Sequence, residues 1–495
     1  MKNRLLGLAA FGFLLSAVIF VTAMPALADN VDQKISALES ELARLKGEQM
    51  ELKKEAVAAA AALPAFSYRP GGGLTITAAD QSWAIRFLYE FNMDMTWLEG
   101  QDASRNGDFE LFGRRNRPYI FYYWDRGLYE FQFGLDMDAG DCSEEGGDST
   151  CNQRARFYVH YNKINPWLPS AQIGMDVGAA INSFDQGSSS TAATIEYPLV
   201  RRDNGFNTGA HTGIGFRWDN LPMGFTPGTW NYHYYWVIQG MGRRDGLSDQ
   251  SSNMDHVIWF RTDPFSKSKN KWINGFAYNI GVWFGNPDER NTTNSNRRAR
   301  LRTQLGPNRV TLFDSGNDAD RGLHTFISTG IQYKVGPYKL LVSGEFDRWN
   351  TKKRSDEDKA GRGGEVGRVE GTGFKFINEL FVWSPKGLFT GSTSTPRSLL
   401  MGWSFERSNA DCGRPNCDES GGAQYSRNRV LVRELDFRYF FRPSLSLLLA
   451  WRWYDASNVS TTREQVDLGC SKNNNTEAGK GCDWHDVALR LAWEF

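Results

Sequence analysis

The stretch DVALRLAWEF (486–495) alternates strictly between apolar side chains and the residues between them. One face of a strand built from it would carry only apolar side chains, namely Val487, Leu489, Leu491, Trp493 and Phe495. A period of two is typical of a β-strand with one apolar and one polar face. Such a strand would leave an adhesive sheet edge on a soluble protein. The stretch therefore predicts a closing strand, which pairs with the first strand of a barrel so that no edge remains.

An export signal is predicted at the N-terminus, over residues 1–28. Lys2 and Arg4 precede a long apolar run, and Ala26 and Ala28 then form an A-x-A cleavage signal. The alternative is a membrane-anchoring helix, since the run is nearly long enough to span a bilayer. The polar sequence behind the A-x-A signal favours cleavage after Ala28.

The composition favours a membrane barrel over a globular enzyme. The mean hydropathy of −0.50 by itself suggests a soluble protein. However, 14% of the residues are aromatic, with 17 Trp and 50 Gly, which is unusual for a globular enzyme. A membrane barrel explains both, because only alternate residues of each strand need be apolar. Basic and acidic residues balance at 57 each, which gives no indication of nucleic-acid binding.

Residues 29–62 are predicted to form a periplasmic coiled coil. Apolar residues repeat in a 4-3 spacing from Val31 to Ala56. With Ile35 at position a, the residues at g and e are oppositely charged: Lys34, Glu41 and Glu48 against Glu39, Lys46 and Lys53. This pattern favours a parallel homo-oligomer, and a solvated helix on a monomer is the alternative. The Pro- and Gly-containing residues 63–73 are then a linker.

From residue 74 to residue 495 the hydrophobic period is two. Seven short turns are expected, near 125–127, 162–170, 219–228, 262–270, 336–337, 384–396 and 442–444. Longer polar segments separate the resulting hairpins. Seven hairpins with a first and a last strand predict an all-β, transmembrane antiparallel β-barrel of about sixteen strands, preceded by the short coiled-coil helix. Short turns in the periplasm and long loops outside are the arrangement of outer-membrane barrels.

The six cysteines fall in three close pairs within predicted outer loops: Cys142 with Cys151, Cys412 with Cys417, and Cys470 with Cys482. The compartment is oxidising after export, so three local disulfides are expected. Metal binding is the alternative, but C-x-x-C doublets and a histidine pattern are missing. A C-x-x-C-H signature for covalent haem is also missing. We therefore expect neither a metal nor another cofactor.

Several stretches resemble the phosphate-selective porin O and P family. They are GLTITAADQSWAIRF (73–87), FELFGRRNRPYIFYYWDRGLYEFQFGLD (109–136), IEYPLV (195–200), YKVGPYKLLVSGEF (333–346) and the last two strands. The G-P-x-x-L…G-E hairpin of that family is matched by Gly336, Pro337, Leu340, Gly344 and Glu345. The resemblance implies an outer-membrane porin that assembles as a homotrimer.

One stretch departs from the family pattern. Its members typically carry a Gly-x-Phe-Lys-x-Pro-like strand that leads toward the third loop. The corresponding stretch here is IGMDVGAA (173–180), which keeps Gly174 but has Asp176 and Val177 where a basic residue is expected. Phosphate selectivity is therefore not implied for this chain.

Alternation along the strands places polar side chains on the inner face. The pore-lining candidates are Arg86, Glu90, Asp94, Arg154, Arg156, His160, Arg217, Arg438, Arg452 and Arg490. One of the two neighbours Arg114 and Arg115 should also point inward. A loop segment supplies Arg297, Arg298, Arg300 and Arg302, which would enrich anions if the segment folded into the mouth. Alternatively, the arginines pair with inner carboxylates and only solvate the wall.

Tryptophan is expected in the aromatic girdles of the barrel. Five of these residues lie near predicted strand ends, namely Trp97, Trp124, Trp218, Trp451 and Trp484. Sugar stacking is the alternative role for a few of them.

The expected function is an outer-membrane porin, a water-filled channel for passive diffusion of small hydrophilic solutes with an anion bias. An enzyme is not expected, because the six histidines have no G-x-S-x-G motif nearby and no phosphate-cradling Gly loop follows a strand. Two alternatives remain: a structural tether with a plugged lumen, and the barrel sheath of an electron-transfer conduit whose haem belongs to another chain. The expected partners are outer-membrane lipid, two further copies of the chain, and small hydrophilic or anionic solutes.

Overall fold

The computed structural model describes two units of the chain, Met1–Pro64 and Ala65–Phe495. The description covers residues 25–100, 109–136, 154–161, 168–177, 211–238, 254–285, 300–302, 311–314, 323–351, 367–412, 427–457 and 482–495.

The described residues of the first unit form the helix α1 (Pro25–Ala62), which continues through the predicted cleavage position at Ala28. Arg44 Nε donates to Glu41 Oε2 at 3.0 Å and Arg44 Nη1 donates to Glu48 Oε1 at 2.9 Å, contacts of the i, i+3 and i, i+4 type that support a helix. The bond from Arg44 lowers the pKa of Glu41 below its ordinary value. The apolar side chains at the predicted a and d positions are exposed, namely Ile35, Leu38, Leu42, Leu45 and Leu52.

Within the part of the chain that is described, no helix is long and apolar enough to cross a membrane.

The second unit is built from β-strands. Sixteen of them form one closed sheet: β3 (Trp83–Gly100), β4 (Phe109–Trp124), β5 (Tyr129–Asp136), β6 (Arg154–Tyr161), β7 (Ser170–Val177), β8 (His211–Pro222), β9 (Thr229–Ile238), β10 (Asp255–Asp263), β11 (Phe276–Gly285), β14 (His324–Val335), β15 (Tyr338–Thr351), β16 (Gly367–Ser384), β18 (Ser398–Cys412), β19 (Arg427–Arg442), β20 (Leu445–Ser457) and β21 (Cys482–Glu494). The five shorter strands are β1 (Ala65–Arg69), β2 (Gly73–Thr77), β12 (Arg300–Arg302), β13 (Thr311–Asp314) and β17 (Gly387–Leu388).

The sheet closes through β21, which pairs antiparallel with β3 from Trp484 opposite Gly100 to Glu494 opposite Glu90. Every other barrel strand pairs antiparallel with the next barrel strand in the chain. The predicted antiparallel barrel of about sixteen strands is therefore confirmed. Six of the seven predicted turns lie within the described residues and join two consecutive barrel strands, as at Gly336, where φ is +54° between β14 and β15. The seventh, 162–170, includes residues outside the described part.

The two faces of the sheet differ as a period of two requires. On β20 the outer side chains Leu449, Trp451 and Trp453 are exposed, whereas Arg452 and Tyr454 between them are buried on the inner face. The same alternation runs along β21, where Arg490 is buried. An apolar outer face and a buried, largely polar inner face are the arrangement expected of a sheet that crosses a membrane.

A hairpin of β1 and β2 extends the sheet beside the chain end. β2 pairs with Ala84–Phe87 of β3, directly beyond the point where β21 stops. Gly73 has φ +76°, and a Cβ there would lie 1.9 Å from the Phe87 carbonyl oxygen, so only glycine fits. Residues 65–69, within the expected linker, are thus a paired strand.

The C-terminal residue is held at this junction. The Phe495 amide donates to the Tyr89 carbonyl and the Tyr89 amide donates to the Phe495 carbonyl, both at 2.8 Å. The Phe495 ring also lies 5.3 Å from the Tyr68 ring of β1. The hairpin and the chain end therefore share one edge of β3, which leaves less of that edge unpaired.

Candidate functional site

The inner wall at the closing strands carries ion pairs set by the register. Arg490 lies opposite Asp94, and its Nε and Nη2 donate to the two carboxylate oxygens at 2.7 and 2.6 Å. Both side chains are at most 1% exposed. This forked geometry gives the strongest arginine–carboxylate contact, and it balances two charges that would otherwise be costly inside the barrel.

Arg452, on the next strand, is placed between two acidic side chains. It lies opposite Asp486 of β21 and Glu434 of β19, and its Nε donates to Asp486 Oδ1 at 2.8 Å. Its guanidinium carbon lies 5.8 Å from the centre of the Tyr454 ring, which stacks on Trp484 at 4.8 Å. The arginine head is therefore fixed by one ion pair and by an aromatic pair.

Further acid–base contacts continue along this wall. Lys375 Nζ lies 3.8 Å from Glu406 Oε2, and Ser408 Oγ donates to Glu406 Oε1 at 2.9 Å. Ser404 Oγ donates to Glu434 Oε2 at 3.4 Å. On this side of the barrel, basic groups thus face carboxylates.

Glu90 holds two arginines of β4. Arg115 Nη1 donates to Glu90 Oε1 at 2.7 Å, and Arg117 Nη1 lies 3.7 Å from Glu90 Oε2. The sequence left open whether Arg114 or its neighbour Arg115 points inward. The contact with Glu90 is made by Arg115. Arg117 was not among the sequence candidates, although it lies two residues from Arg115 and therefore on the same face.

The wall formed by β8 to β11 is richer in aromatic groups. His233 Nε2 lies 2.6 Å from Asp219 Oδ1, and the His233 ring lies 4.4 Å from the Trp259 ring. Trp283 Nε1 donates to Asp255 Oδ2 at 2.9 Å. The sequence analysis did not name Asp219 and Asp255 as inner-wall residues. Both lie near strand ends, where the sequence pattern does not show whether an acidic residue lies on the inner wall or in a turn.

Glycine makes room for one of these aromatic side chains. Tyr235 lies over Gly215, where an added Cβ would be 2.4 Å from a ring carbon. The two residues face each other across β8 and β9. Apolar side chains also face inward on these strands and on the next barrel strand, including the buried Val257 of β10 and Phe326 of β14. The alternation rule predicts polar inner residues, so this apolar part of the inner wall was not anticipated.

The remaining candidates are placed as follows. The Arg86 guanidinium lies 4.0 Å from the centre of the Phe121 ring, a cation–π distance. His160 lies opposite Glu130 and Gln172 of the neighbouring strands, and Arg217 Nε is 3.7 Å from Asp219 Oδ2. Arg438 is fully buried.

Some predicted residues are described only in their backbone or not at all. Arg154 and Arg156 lie on β6, Arg300 and Arg302 begin and end β12, Cys412 ends β18 and Cys482 begins β21. The side chains of these six residues lie outside the described part. The positions that fall entirely outside the described residues are Arg297, Arg298, Cys142, Cys151, Cys417 and Cys470.

The girdle assignment of Trp484 was wrong. Trp97, Trp124 and Trp451 are exposed on the outer face, as a girdle requires. Trp484 instead is buried on the inner face and stacks on Tyr454. Nearness to a strand end does not reveal the face, because the face depends on the parity of the position along β21.

Within the described ranges, no group of three or more His, Cys, Asp or Glu side chains is arranged to hold a metal ion.

These features define the class of the fold, a closed sixteen-stranded transmembrane β-barrel. No protein-family model and no curated protein matches the chain. Among solved structures, the outer membrane channel DcaP of Acinetobacter baumannii is similar with 11% identity over 83% of this chain and 97% of that chain, at a TM-score of 0.46. OmpF of Salmonella typhi in complex with daunomycin has 11% identity over 84% and 98%, at 0.45. OmpT, an outer membrane protein of Vibrio cholerae, has 8% identity over 83% and 98%, at 0.44.

Proposed function

We propose that this chain is a bacterial outer-membrane porin, a channel through which small hydrophilic solutes diffuse passively. The observation that carries the proposal is the closure of sixteen antiparallel strands by β21 and β3 around an inner wall of charged side chains. A barrel of this size leaves an aqueous passage rather than a packed core. Its apolar outer face would contact outer-membrane lipid, and the channel carries out no chemistry.

The orientation follows from the lengths of the connections. The seven short turns, the β1–β2 hairpin and α1 would lie in the periplasm, and the long connections would lie outside. The three cysteine pairs lie in the outer connections or, for Cys412 and Cys482, at the strand ends that border them, and we expect local disulfides there in an oxidising compartment.

Ion selectivity depends on the arginines whose charge is not offset. Arg490 and Arg452 each contact a carboxylate, so neither supplies a net positive charge to the channel. An anion bias would therefore depend on Arg86, which stacks on an aromatic ring, and on the basic loop around Arg298 and Arg300.

The proposed assembly is a homotrimer joined in part by α1. An isolated helix gains little from exposed leucines, whereas a parallel coiled coil would bury them. The opposite charges at the predicted g and e positions support association of identical helices in parallel.

The test is the single-channel current of the purified oligomer in a planar bilayer with a KCl gradient across it. Steady conductance with an anion-favouring reversal potential supports the proposal in full. A cation-favouring reversal potential would still support a porin, but one whose ion selectivity is set by the inner carboxylates. Absence of conductance would contradict the porin hypothesis and favour the alternative, a structural tether with a plugged lumen. Haem absorbance in the purified material would instead identify the electron-transfer sheath.

A further inference from the structure

Three arginine side chains lie close together on the outer face of β18 and β19. Arg407 of β18 lies opposite Leu431 of β19 in the register. Arg429 and Arg433 lie two places before and two places after Leu431, so they share its face of the sheet. All three arginines are exposed. Diagonal positions across two strands are about 7–8 Å apart, so the three extended guanidinium groups of this outer arginine cluster can approach a single group.

The outer arginine cluster lies directly beyond the edge of the apolar outer face. On the short-turn side of the cluster, the outward side chains of both strands are apolar or aromatic, among them Met401, Trp403, Phe405, Leu435 and Phe437. Arg407 is nine residues from the start of β18 at Ser398, and nine residues of a tilted strand rise roughly 20 Å. The apolar band of such a barrel is about 25 Å tall, so the cluster lies at the level where lipid headgroups begin.

The positive charge of the cluster is not balanced by the protein. Within the described residues, none of the three arginines forms an ion pair or a side-chain hydrogen bond. Asp455 of β20 lies opposite Leu431 and is exposed, but it forms no ion pair with the cluster in the described part of the chain. By contrast, Arg348 on the outer face of β15 has Nε 3.8 Å from Glu370 Oε1. Three positive charges against one negative charge make the cluster complementary to an anion.

We propose that the outer arginine cluster binds the phosphate groups of an anionic lipid in the outer leaflet. The guanidinium groups would donate forked hydrogen bonds to the phosphate oxygens, a contact for which arginine is well suited. The acyl chains of the same lipid would pack on the apolar and aromatic side chains next to the cluster, such as Trp403 and Phe405. A phosphate at the headgroup level and hydrocarbon below it match the order of the two surfaces on these strands. The inference rests on the proposed function, because it needs this face in the membrane and the long connections outside.

The test measures binding of fluorescent lipid A, a glycolipid with two phosphates, to the purified protein in non-ionic detergent by fluorescence anisotropy. Lipid A should bind saturably and about tenfold or more tightly than its dephosphorylated form with the same acyl chains, because only the phosphates contact the cluster. Salt at about 1 M, where the Debye length is about 3 Å, should remove most of that preference, since the cluster is exposed. Arg407→Gln with Arg433→Gln should weaken lipid A binding about 10- to 100-fold and leave binding of the dephosphorylated form unchanged.

Arg397→Gln with Arg442→Gln is the matched control. It removes the same charge from two exposed arginines at the short-turn ends of the same two strands. This variant should bind lipid A as the unchanged protein does. Equal binding of lipid A and its dephosphorylated form would overturn the proposal, and so would normal lipid A binding by the cluster variant. Displacement of lipid A by inorganic phosphate at equal concentration would show a site for the free ion and would overturn the assignment to a lipid.

Conductance of the same preparation in a planar bilayer separates this inference from the proposed function. A conducting channel without a preference for phosphorylated lipid would support the porin and contradict the lipid site. A preference for phosphorylated lipid without conductance would support the lipid site and contradict the porin. The comparison of the two lipid forms needs no variant, so it tests the site even if a substituted chain fails to fold.

Discussion

Arg490 and Asp94 are 396 residues apart in the chain and are joined by two hydrogen bonds of 2.7 and 2.6 Å. The pair lies on the inner face at the one junction where the end of the sheet meets its beginning. Each charge is buried, so each depends on the other for compensation. The closure of the barrel and the charge balance of its wall are thus coupled at a single contact.

Removing one member of this pair should destabilise the barrel strongly. Arg490→Met leaves the Asp94 carboxylate buried without its partner, at a cost of about 3–5 kcal/mol in the free energy of unfolding. The double variant Arg490→Met with Asp94→Leu should lose less than Arg490→Met alone, because no buried charge remains. Denaturant unfolding followed by tryptophan fluorescence measures both. Arg407→Ala, at an exposed position of β18, is the control and should change stability little. An equal loss of stability in the single and the double variant would contradict the coupling between Arg490 and Asp94.

Gly73→Ala should loosen the β1–β2 hairpin. The added methyl group would meet the Phe87 carbonyl oxygen at 1.9 Å in a left-handed conformation. Strain at such a residue costs about 1–3 kcal/mol, and the backbone must also move. Limited proteolysis near residues 65–77 should become faster. Gly127→Ala has a similar φ of +83° but open space around the new Cβ, so it tests the conformational strain alone. Equally fast proteolysis in both variants would contradict the expectation that the clash with the Phe87 carbonyl loosens the hairpin.

Asp80, in the turn between β2 and β3, should titrate below an ordinary aspartate. Its Oδ1 accepts hydrogen bonds from the Ser82 hydroxyl at 2.7 Å and the Ser82 amide at 3.0 Å, and these lower the pKa of Asp80 below 3.8. The contribution to stability is therefore present above the pKa of the unfolded state and is lost as the pH falls through the lower folded pKa. Carbon-13 NMR of labelled aspartate measures this shift. Ser82→Ala should move the Asp80 pKa upward, and an unchanged value would show that the hydroxyl bond has no influence.

The exposed leucines of α1 should hold the oligomer together. Leu38→Glu with Leu45→Glu places charges on the predicted seam, where burial of each leucine is worth about 1.5–3 kcal/mol. The oligomer should dissociate at a lower temperature, as measured by light scattering of the full chain in detergent. Ser40→Glu adds a charge on the opposite side of the same helix and should leave the dissociation temperature unchanged. If all variants dissociate together, the helix does not contribute to assembly.

Charge reversal in the basic loop should shift ion selectivity. Arg298→Glu with Arg300→Glu removes positive charge from the segment expected near the outer mouth, so the reversal potential in a KCl gradient should move toward cations. Lys386→Glu, in the turn after β16 at the other end of the barrel, is the control and should have a smaller effect. An unchanged reversal potential in the loop variant would exclude the loop from selectivity.

Local patterns predicted the elements of the fold well. The period of two in 486–495 predicted β21, and seven turn signals predicted sixteen strands, because side-chain alternation and turn chemistry act over only a few residues. The same alternation correctly separates Arg490 from its apolar neighbours. It fails for Tyr235 and Phe326, which face inward although they are aromatic.

The sequence by itself determined the class of the fold and the face on which Arg452 and Arg490 lie, since both follow from spacing along one strand. Only the tertiary structure decided their partners. Which carboxylate stands opposite an arginine depends on the register between strands, and a shift of one residue would turn every side chain to the other face. The pairing of Arg490 with Asp94 arises because closure of the sheet fixes that register across the whole barrel.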